Sequence, residues 1–118
     1  MMDESQYLRR VDAVFRCIQD GCDAIDPDLV EAYVAGDVLT LTFADRSRCV
    51  VNTQRPTRQV WLAAGTRAWH FSLEADSGRW MDDKGRGDEL YATLAAIVRD
   101  KAGVEVRFAP AAPGDPLG

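Results

Sequence analysis

The 118-residue sequence lacks the features that identify disulfide-rich, zinc-binding and membrane proteins. It has three cysteines, an odd number with no CxxC pair, which argues against a disulfide framework and against a thiolate zinc site. No apolar run approaches the roughly 20 residues of a membrane-spanning helix, and the stretch MMDESQYLRR lacks the layout of a signal peptide. We therefore expect a cytoplasmic protein with reduced cysteines and no membrane association.

The sequence also lacks the residue patterns of common catalytic sites. It contains one histidine, and it shows no nucleophile beside a base, no glycine-rich phosphate loop and no spacing that pairs buried carboxylates. The sequence therefore shows no catalytic constellation, and its candidate sites are surfaces.

Basic residues are scarce in the first quarter of the chain. Residues 1–31 contain eight acidic and three basic residues, which accounts for the whole formal net charge of -5. The remaining residues contain 11 acids and 11 bases. Segregated negative charge repels nucleic acid and anionic lipid, and it favours cations or basic protein surfaces. We therefore predict no nucleic-acid partner.

Apolar residues at helical spacing indicate two amphipathic helices. The first stripe covers residues 6–25, where Ser5 could cap the start and Pro27 sets the limit. The second helix is predicted over residues 88–102, and Gly103 is well placed to end it.

Between the helices, apolar and polar residues alternate as in β-strands. Alternation and turn residues predict six short antiparallel strands, at residues 30–34, 38–43, 48–52, 59–63, 68–73 and 78–81. We predict one domain over residues 1–108, with residues 104–108 extended and half-buried, and a loose proline- and glycine-rich tail at 109–118. The order of elements predicts an α+β two-layer sandwich, with both helices on one face of the sheet and the other face open to solvent.

The stretch DGCDAIDPDLVE, residues 20–31, places five carboxylates within twelve residues without a lysine or arginine. Asp20 and Asp23 fall near the C-terminal end of the first predicted helix, where the helix dipole disfavours negative charge. Carboxylates that continue from a helix to a strand offer hard oxygen ligands for iron, manganese, calcium or magnesium. The spacing differs from an EF-hand loop, so we expect open, hydrated coordination. The alternative is a solvated face that only aids solubility.

A second candidate surface lies on the open face of the predicted sheet. If Val60 and Leu62 face the helices, alternation sends Gln59, Trp61 and Ala63 to the open side, where His70 should also fall. An exposed tryptophan is a common hot spot of protein binding. The alternatives are that Trp61 only packs across strands and that His70 is an ordinary surface residue.

Several motifs occur in a specific order between about Gln6 and Phe108. An acidic first helix runs into DPDL and is followed by GDVLTLTF, VVNTQRPTRQVWLA, WHF, a short strand with Trp80 and a closing helix. The combination resembles the frataxin family, specifically its bacterial branch. The resemblance implies an αββββββα sandwich, in agreement with the predicted order of elements.

The resemblance also implies a non-catalytic role in iron-sulfur cluster assembly. It implies weak iron binding, binding to the cysteine desulfurase to regulate cluster formation, donation of iron, and docking of the sheet near the scaffold protein. The implied iron-binding residues are Glu4, Asp12, Asp20, Asp23, Asp26, Asp28 and Glu31. The implied partner-binding residues on the sheet are Asn52, Gln54, Pro56, Gln59, Trp61 and His70, and Asp20 and Asp23 are implied to contact the desulfurase as well.

The chain departs from the family pattern at a few positions. Where the family usually reads N-R-Q-E-P, residues 52–56 read NTQRP, so Thr53 replaces a base and Arg55 reverses a charge. Gln19 occupies a position that is commonly acidic. These changes bear on partner specificity rather than on the fold. We expect a monomer, and the alternative functions are a ferroxidase and an iron store formed by iron-driven oligomers.

Overall fold

A six-stranded antiparallel sheet and two helices form the protein in the computed structural model, which describes residues 2–109. The strands lie in the sheet in the order in which they occur along the chain. The elements are α1 (Glu4–Asp23), β1 (Val30–Ala35), β2 (Val38–Phe43), β3 (Arg48–Gln54), β4 (Gln59–Ala64), β5 (Arg67–Glu74), β6 (Arg79–Asp82) and α2 (Leu90–Ala102). The predicted fold class and the six predicted strands are confirmed.

The start of α1 differs from the prediction. Asp3, not Ser5, is the N-cap, and Ser5 lies inside the first turn. The Asp3 carboxylate accepts a hydrogen bond from the Gln6 backbone N–H at 2.8 Å, and the Gln6 side chain accepts one from the Asp3 N–H at 3.0 Å. This capping box satisfies two backbone donors at once, which a serine two residues later could not do.

The second helix begins two residues later than predicted. Glu89 is its N-cap, and the Glu89 carboxylate accepts hydrogen bonds from the backbone N–H groups of Tyr91 and Ala92. Gly103 ends the helix as predicted, in the left-handed conformation with φ of 69°, which glycine adopts without a steric penalty. In residues 2–109, neither helix combines the length and the apolar character that crossing a membrane would require.

The hydrophobic core lies between the helices and one face of the sheet. The buried residues of α1 are Tyr7, Val11, Val14, Phe15, Ile18 and Cys22, and those of α2 are Leu90, Leu94 and Val98. They pack in one cluster with the inward side chains of the strands, which include Leu39, Leu41, Val51, Leu62, Trp69 and Phe71. Burial raises the pKa of the Cys22 thiol to about 11 and that of Cys49 to about 12, so both stay protonated at neutral pH.

The segment after α2 runs back along α1. Residues 104–108 alternate between partly buried and exposed positions as predicted, but they pair with no strand of the described residues 2–109. Phe108 is 8% exposed and joins the core. A methyl group at Gly21 would lie 2.6 Å from the Phe108 ring, so the ring rests directly on the α1 backbone. Apart from Ala109, the predicted tail lies outside the described residues.

Candidate functional site

Seven acidic side chains form the first candidate surface, which we call the acidic ridge. They lie on α1, on the loop that follows it and at the start of β1, and each of them is exposed. The ridge consists of Glu4, Asp12, Asp20, Asp23, Asp26, Asp28 and Glu31. The last turn of α1 contains no basic residue, so the negative end of the helix dipole meets acidic side chains there.

Two acids at the N-terminal part of the ridge have basic partners. Asp12 forms an ion pair with Arg16 at 2.7 Å, and Glu4 lies 3.7 Å from Arg55. The ion pairs within residues 2–109 do not include the five other acids of the ridge, which are Asp20, Asp23, Asp26, Asp28 and Glu31. The uncompensated charge therefore lies at the C-terminal end of α1 and in the loop to β1.

Asp26 shapes the loop that carries the ridge from α1 to β1. Its side chain accepts a hydrogen bond from the Asp28 N–H at 2.9 Å, and its carbonyl accepts from the N–H groups of Leu29 and Val30. Because an asparagine side chain can accept the same bond, the loop can keep its shape without the charge.

The ridge does not form a preorganised metal cage. In the described part of the chain, no three His, Cys, Asp or Glu side chains come close enough together to hold one metal ion. A cation on the ridge would therefore keep most of its water ligands and bind to separate carboxylates.

The second candidate surface is the open face of the sheet. The strand register places ten side chains, none of them Asp, Glu, Lys or Arg, in two adjacent rows across β1 to β5. One row is Ala35, Val38, Asn52, Trp61 and His70, and the next is Tyr33, Thr40, Val50, Ala63 and Ala68. Tyr33 is 68% exposed and Val38 is 38% exposed. The strand prediction did not extend this surface to β1 and β2, because that step needs the register between strands.

Trp61 of β4 and His70 of β5 form a stacked pair on this face. Their ring centroids are 4.1 Å apart with an angle of 16° between the planes. The Trp61 indole N–H donates a hydrogen bond of 2.9 Å to the Gln59 side-chain oxygen. Trp61 thus packs across strands and still remains partly exposed, so the two interpretations of this residue are compatible.

Gln59 lies beside this pair, but it is not the freely accessible residue that alternation indicated. It is 9% exposed, and its side-chain nitrogen donates to the Ser72 hydroxyl at 3.0 Å and to the Asp83 carboxylate at 2.9 Å. Every polar atom of its amide is therefore used within the protein. Gln59 therefore orients its neighbours and leaves little of its own side chain accessible to a partner.

Asp83 is a member of this site that the sequence did not indicate. Its carboxylate lies 3.8 Å from the His70 Nδ1 atom, and its backbone N–H donates a 2.8 Å hydrogen bond to the His70 carbonyl. Asp83 follows β6, so only the register of β5 with β6 reveals that it reaches His70. Strand alternation alone therefore could not show that His70 has a carboxylate neighbour.

The other predicted residues of the sheet surface lie at the end of β3 and in the β3–β4 turn. Asn52 is partly buried in the Trp61 row, and Pro56 is exposed in the turn. The Gln54 N–H donates a 2.9 Å hydrogen bond to the Tyr7 hydroxyl, which in turn donates to the Gln59 carbonyl. Burial raises the pKa of Tyr7, so the hydroxyl stays neutral. The residue thereby ties α1 to the strands that carry Trp61.

Arg55 connects this turn to the acidic N-terminal part of α1. Its guanidinium lies 3.7 Å from the Glu4 carboxylate and 3.8 Å from the Asp37 carboxylate. The reversed charge noted in the sequence is therefore accommodated by two exposed acids of the chain itself.

Comparison with known proteins connects most of the chain to one family. A family model described as a frataxin-like domain matches residues 1–104. The iron-sulfur cluster assembly protein CyaY of Paraburkholderia phymatum is 37% identical over 109 residues, covering 92% of this chain and 100% of the relative. The protein of the same name from Delftia acidovorans is 33% identical over 111 residues, covering 91% and 97%.

Solved structures agree with the sequence comparison. A frataxin from Psychromonas ingrahamii, studied within the CyaY protein family, superimposes with a TM-score of 0.83 at 28% identity, covering 92% of this chain and 99% of the other. A trimeric frataxin from the yeast Saccharomyces cerevisiae, complexed with ferrous iron, gives a TM-score of 0.65 at 23% identity, covering 88% and 89%. The yeast likeness is one of fold alone.

Proposed function

Because this chain belongs to the frataxin-like family, we propose that it is an iron-sulfur cluster assembly factor. In this proposal the acidic ridge binds iron weakly as cargo and also contacts the cysteine desulfurase, so that the protein regulates cluster formation and can donate iron. The open sheet face around Trp61 contacts the scaffold protein. We propose that these are binding functions and that the chain catalyses no reaction.

The observation that carries the proposal is the uncompensated charge at the C-terminal end of the ridge. Five exposed carboxylates there lie outside the ion pairs of residues 2–109. Carboxylate oxygens suit hard cations, and a basic protein surface can use the same charges. This supports one surface on which iron and a basic partner compete.

The open sheet face supports a second, separate contact. Its two adjacent rows contain no Asp, Glu, Lys or Arg, and the core of a protein interface is typically depleted of charged residues and enriched in aromatic ones. The helices pack on the opposite face of the sheet, so a partner on this face leaves most of α1 accessible. An iron store formed by oligomerisation is the alternative function.

Neutralising the ridge is expected to weaken both of its proposed contacts. A variant with Asp20→Asn, Asp23→Asn and Asp26→Asn should bind ferrous iron and the cysteine desulfurase about tenfold more weakly at low salt, because three charges leave one surface. Calorimetric titration with ferrous iron under anaerobic conditions, and with the purified desulfurase, measures both affinities.

A matched variant with Glu74→Gln, Asp76→Asn and Asp100→Asn changes the net charge equally at exposed positions outside the ridge. It should keep both affinities. Equal losses in the two variants would show that only net charge matters, and unchanged affinities in the ridge variant would contradict the proposal.

Replacing Trp61 with alanine is expected to weaken binding of the scaffold protein about 30-fold, the effect of a hot spot worth about 2 kcal/mol. Biolayer interferometry with immobilised scaffold measures the change in Kd. Tyr33→Ala serves as the control, because Tyr33 is an exposed aromatic residue on the same face but at the β1 edge. A larger loss for Tyr33→Ala than for Trp61→Ala would move the contact away from Trp61.

A further inference from the structure

The side chains around Trp61 form a closed ring of contacts, in which Asp83 contacts both Gln59 and His70. The Trp61 indole donates to Gln59, Gln59 donates to Asp83, the Asp83 carboxylate lies 3.8 Å from His70, and His70 stacks on Trp61. Ser72 accepts the second hydrogen of the Gln59 amide nitrogen. The indole is therefore held at its N–H edge and on one ring face.

The chemistry of donors and acceptors fixes the orientation of the Gln59 amide. An ionised carboxylate only accepts hydrogen bonds, and an indole N–H only donates. The Gln59 nitrogen must therefore face Asp83, which turns the Gln59 oxygen toward the Trp61 N–H. In the reversed orientation, the amide oxygen would face a carboxylate and the amide NH2 would face another donor. Because Gln59 is 9% exposed, water cannot readily compensate either mismatch.

The position of Asp83 is itself fixed by the sheet. Its backbone N–H donates to the His70 carbonyl at 2.8 Å, and the preceding residue, Asp82, pairs with Phe71 in the register of β5 with β6. The backbone that carries the Asp83 carboxylate is therefore held by the end of a strand, although Asp83 lies in the loop before α2. Rigid support of this kind keeps a contact residue in its bound orientation before the partner arrives, which reduces the entropic cost of binding.

We propose that Asp83 is a positioning residue of the scaffold-docking surface: it orients Gln59 and, through Gln59, holds the Trp61 indole in the orientation that the protein partner contacts. The inference rests on the proposed function for the identity of the partner. The internal role of Asp83 does not depend on the proposed function, and it can be measured in the protein alone.

The test compares Asp83→Ala with Asp83→Asn. Alanine removes the acceptor, so the assigned indole N–H resonance of Trp61 should shift and exchange faster with solvent, and scaffold affinity should fall about fivefold to tenfold. Asparagine keeps an oxygen that can accept from Gln59, so it should restore most of the wild-type resonance and affinity. Asp76→Ala, on the β5–β6 turn, makes the same change of charge and should alter neither readout. Thermal melts verify that all variants are folded.

An unchanged Trp61 resonance in Asp83→Ala would overturn the inference, and so would equal losses of affinity in the alanine and asparagine variants, since the charge and not the acceptor would then be responsible. Failure of the wild-type protein to bind the scaffold would contradict the proposed function alone. In that case the resonance, recorded without any partner, still decides the role of Asp83.

Discussion

Replacing Phe108 with alanine is expected to lower the free energy of unfolding by about 3–4 kcal/mol, the usual cost of removing a buried aromatic ring from a core. Phe108 is 8% exposed, rests on Gly21 of α1 and lies with its ring centroid 6.0 Å from that of Tyr91. Its loss therefore removes the aromatic contact of residues 104–108 with both helices, while Val106 still lies near Gly21. Urea denaturation followed by circular dichroism measures the change.

The contact with Gly21 gives this prediction a sharp control. Alanine at position 21 normally favours a helix by about 1 kcal/mol over glycine. Here the added methyl group would lie 2.6 Å from the Phe108 ring, so Gly21→Ala should destabilise the wild-type protein. In the Phe108→Ala background the same substitution should become stabilising. If Gly21→Ala changed the free energy of unfolding with the same sign in both backgrounds, this would contradict the described packing.

Asp82→Ala is expected to lower the free energy of unfolding by about 2–3 kcal/mol. The Asp82 side chain is fully buried and accepts hydrogen bonds from the Arg86 guanidinium at 2.8 and 3.0 Å. The Arg86 side chain is 42% exposed and can be rehydrated, which keeps the loss below that of a fully buried pair. Arg86 also donates to the Ala68 carbonyl, so the pair holds the loop between β6 and α2 against β5.

The stabilisation that the Asp82–Arg86 pair provides should decrease as the pH falls. Hydrogen bonds from Arg86 lower the pKa of the Asp82 carboxyl below its ordinary value. The stabilisation is therefore fully present above the pH at which an unfolded aspartate titrates, and it is lost as the pH falls through the lower pKa of the folded state. Denaturation of wild type and Asp82→Ala at neutral and strongly acidic pH should show a shrinking difference. A difference that grows in acid would contradict the pairing.

Much of the fold could be predicted because it depends on local patterns. Alternation in VLTLTF placed Leu39, Leu41 and Phe43 on one face of the strand, and all three are buried. Glycine at position 103 ended α2 because the left-handed conformation is a local property. The cap of α1 was misassigned because Asp3 and Ser5 are both good caps, and only the reciprocal bond with Gln6 distinguishes them.

The candidate surfaces were less predictable because they combine residues distant in sequence. The exposure of the acidic ridge followed from its charges, whereas the pairing of Glu4 with Arg55 did not. Alternation placed Gln59 and Trp61 on one face of the sheet, but it could not show that Ser72 and Asp83 enclose the Gln59 amide. Such contacts depend on strand register and side-chain orientation together.

The sequential order of the strands has a consequence for how the protein folds. Each hairpin joins neighbours in the chain and closes a short loop, which is entropically inexpensive and fast. In contrast, the Tyr7 hydroxyl donates to the Gln59 carbonyl, 52 residues further along the chain, and Gly21 contacts Phe108, which follows the whole sheet and α2. We therefore expect α1 to complete its packing only after the sheet and the segment that follows α2 are in place.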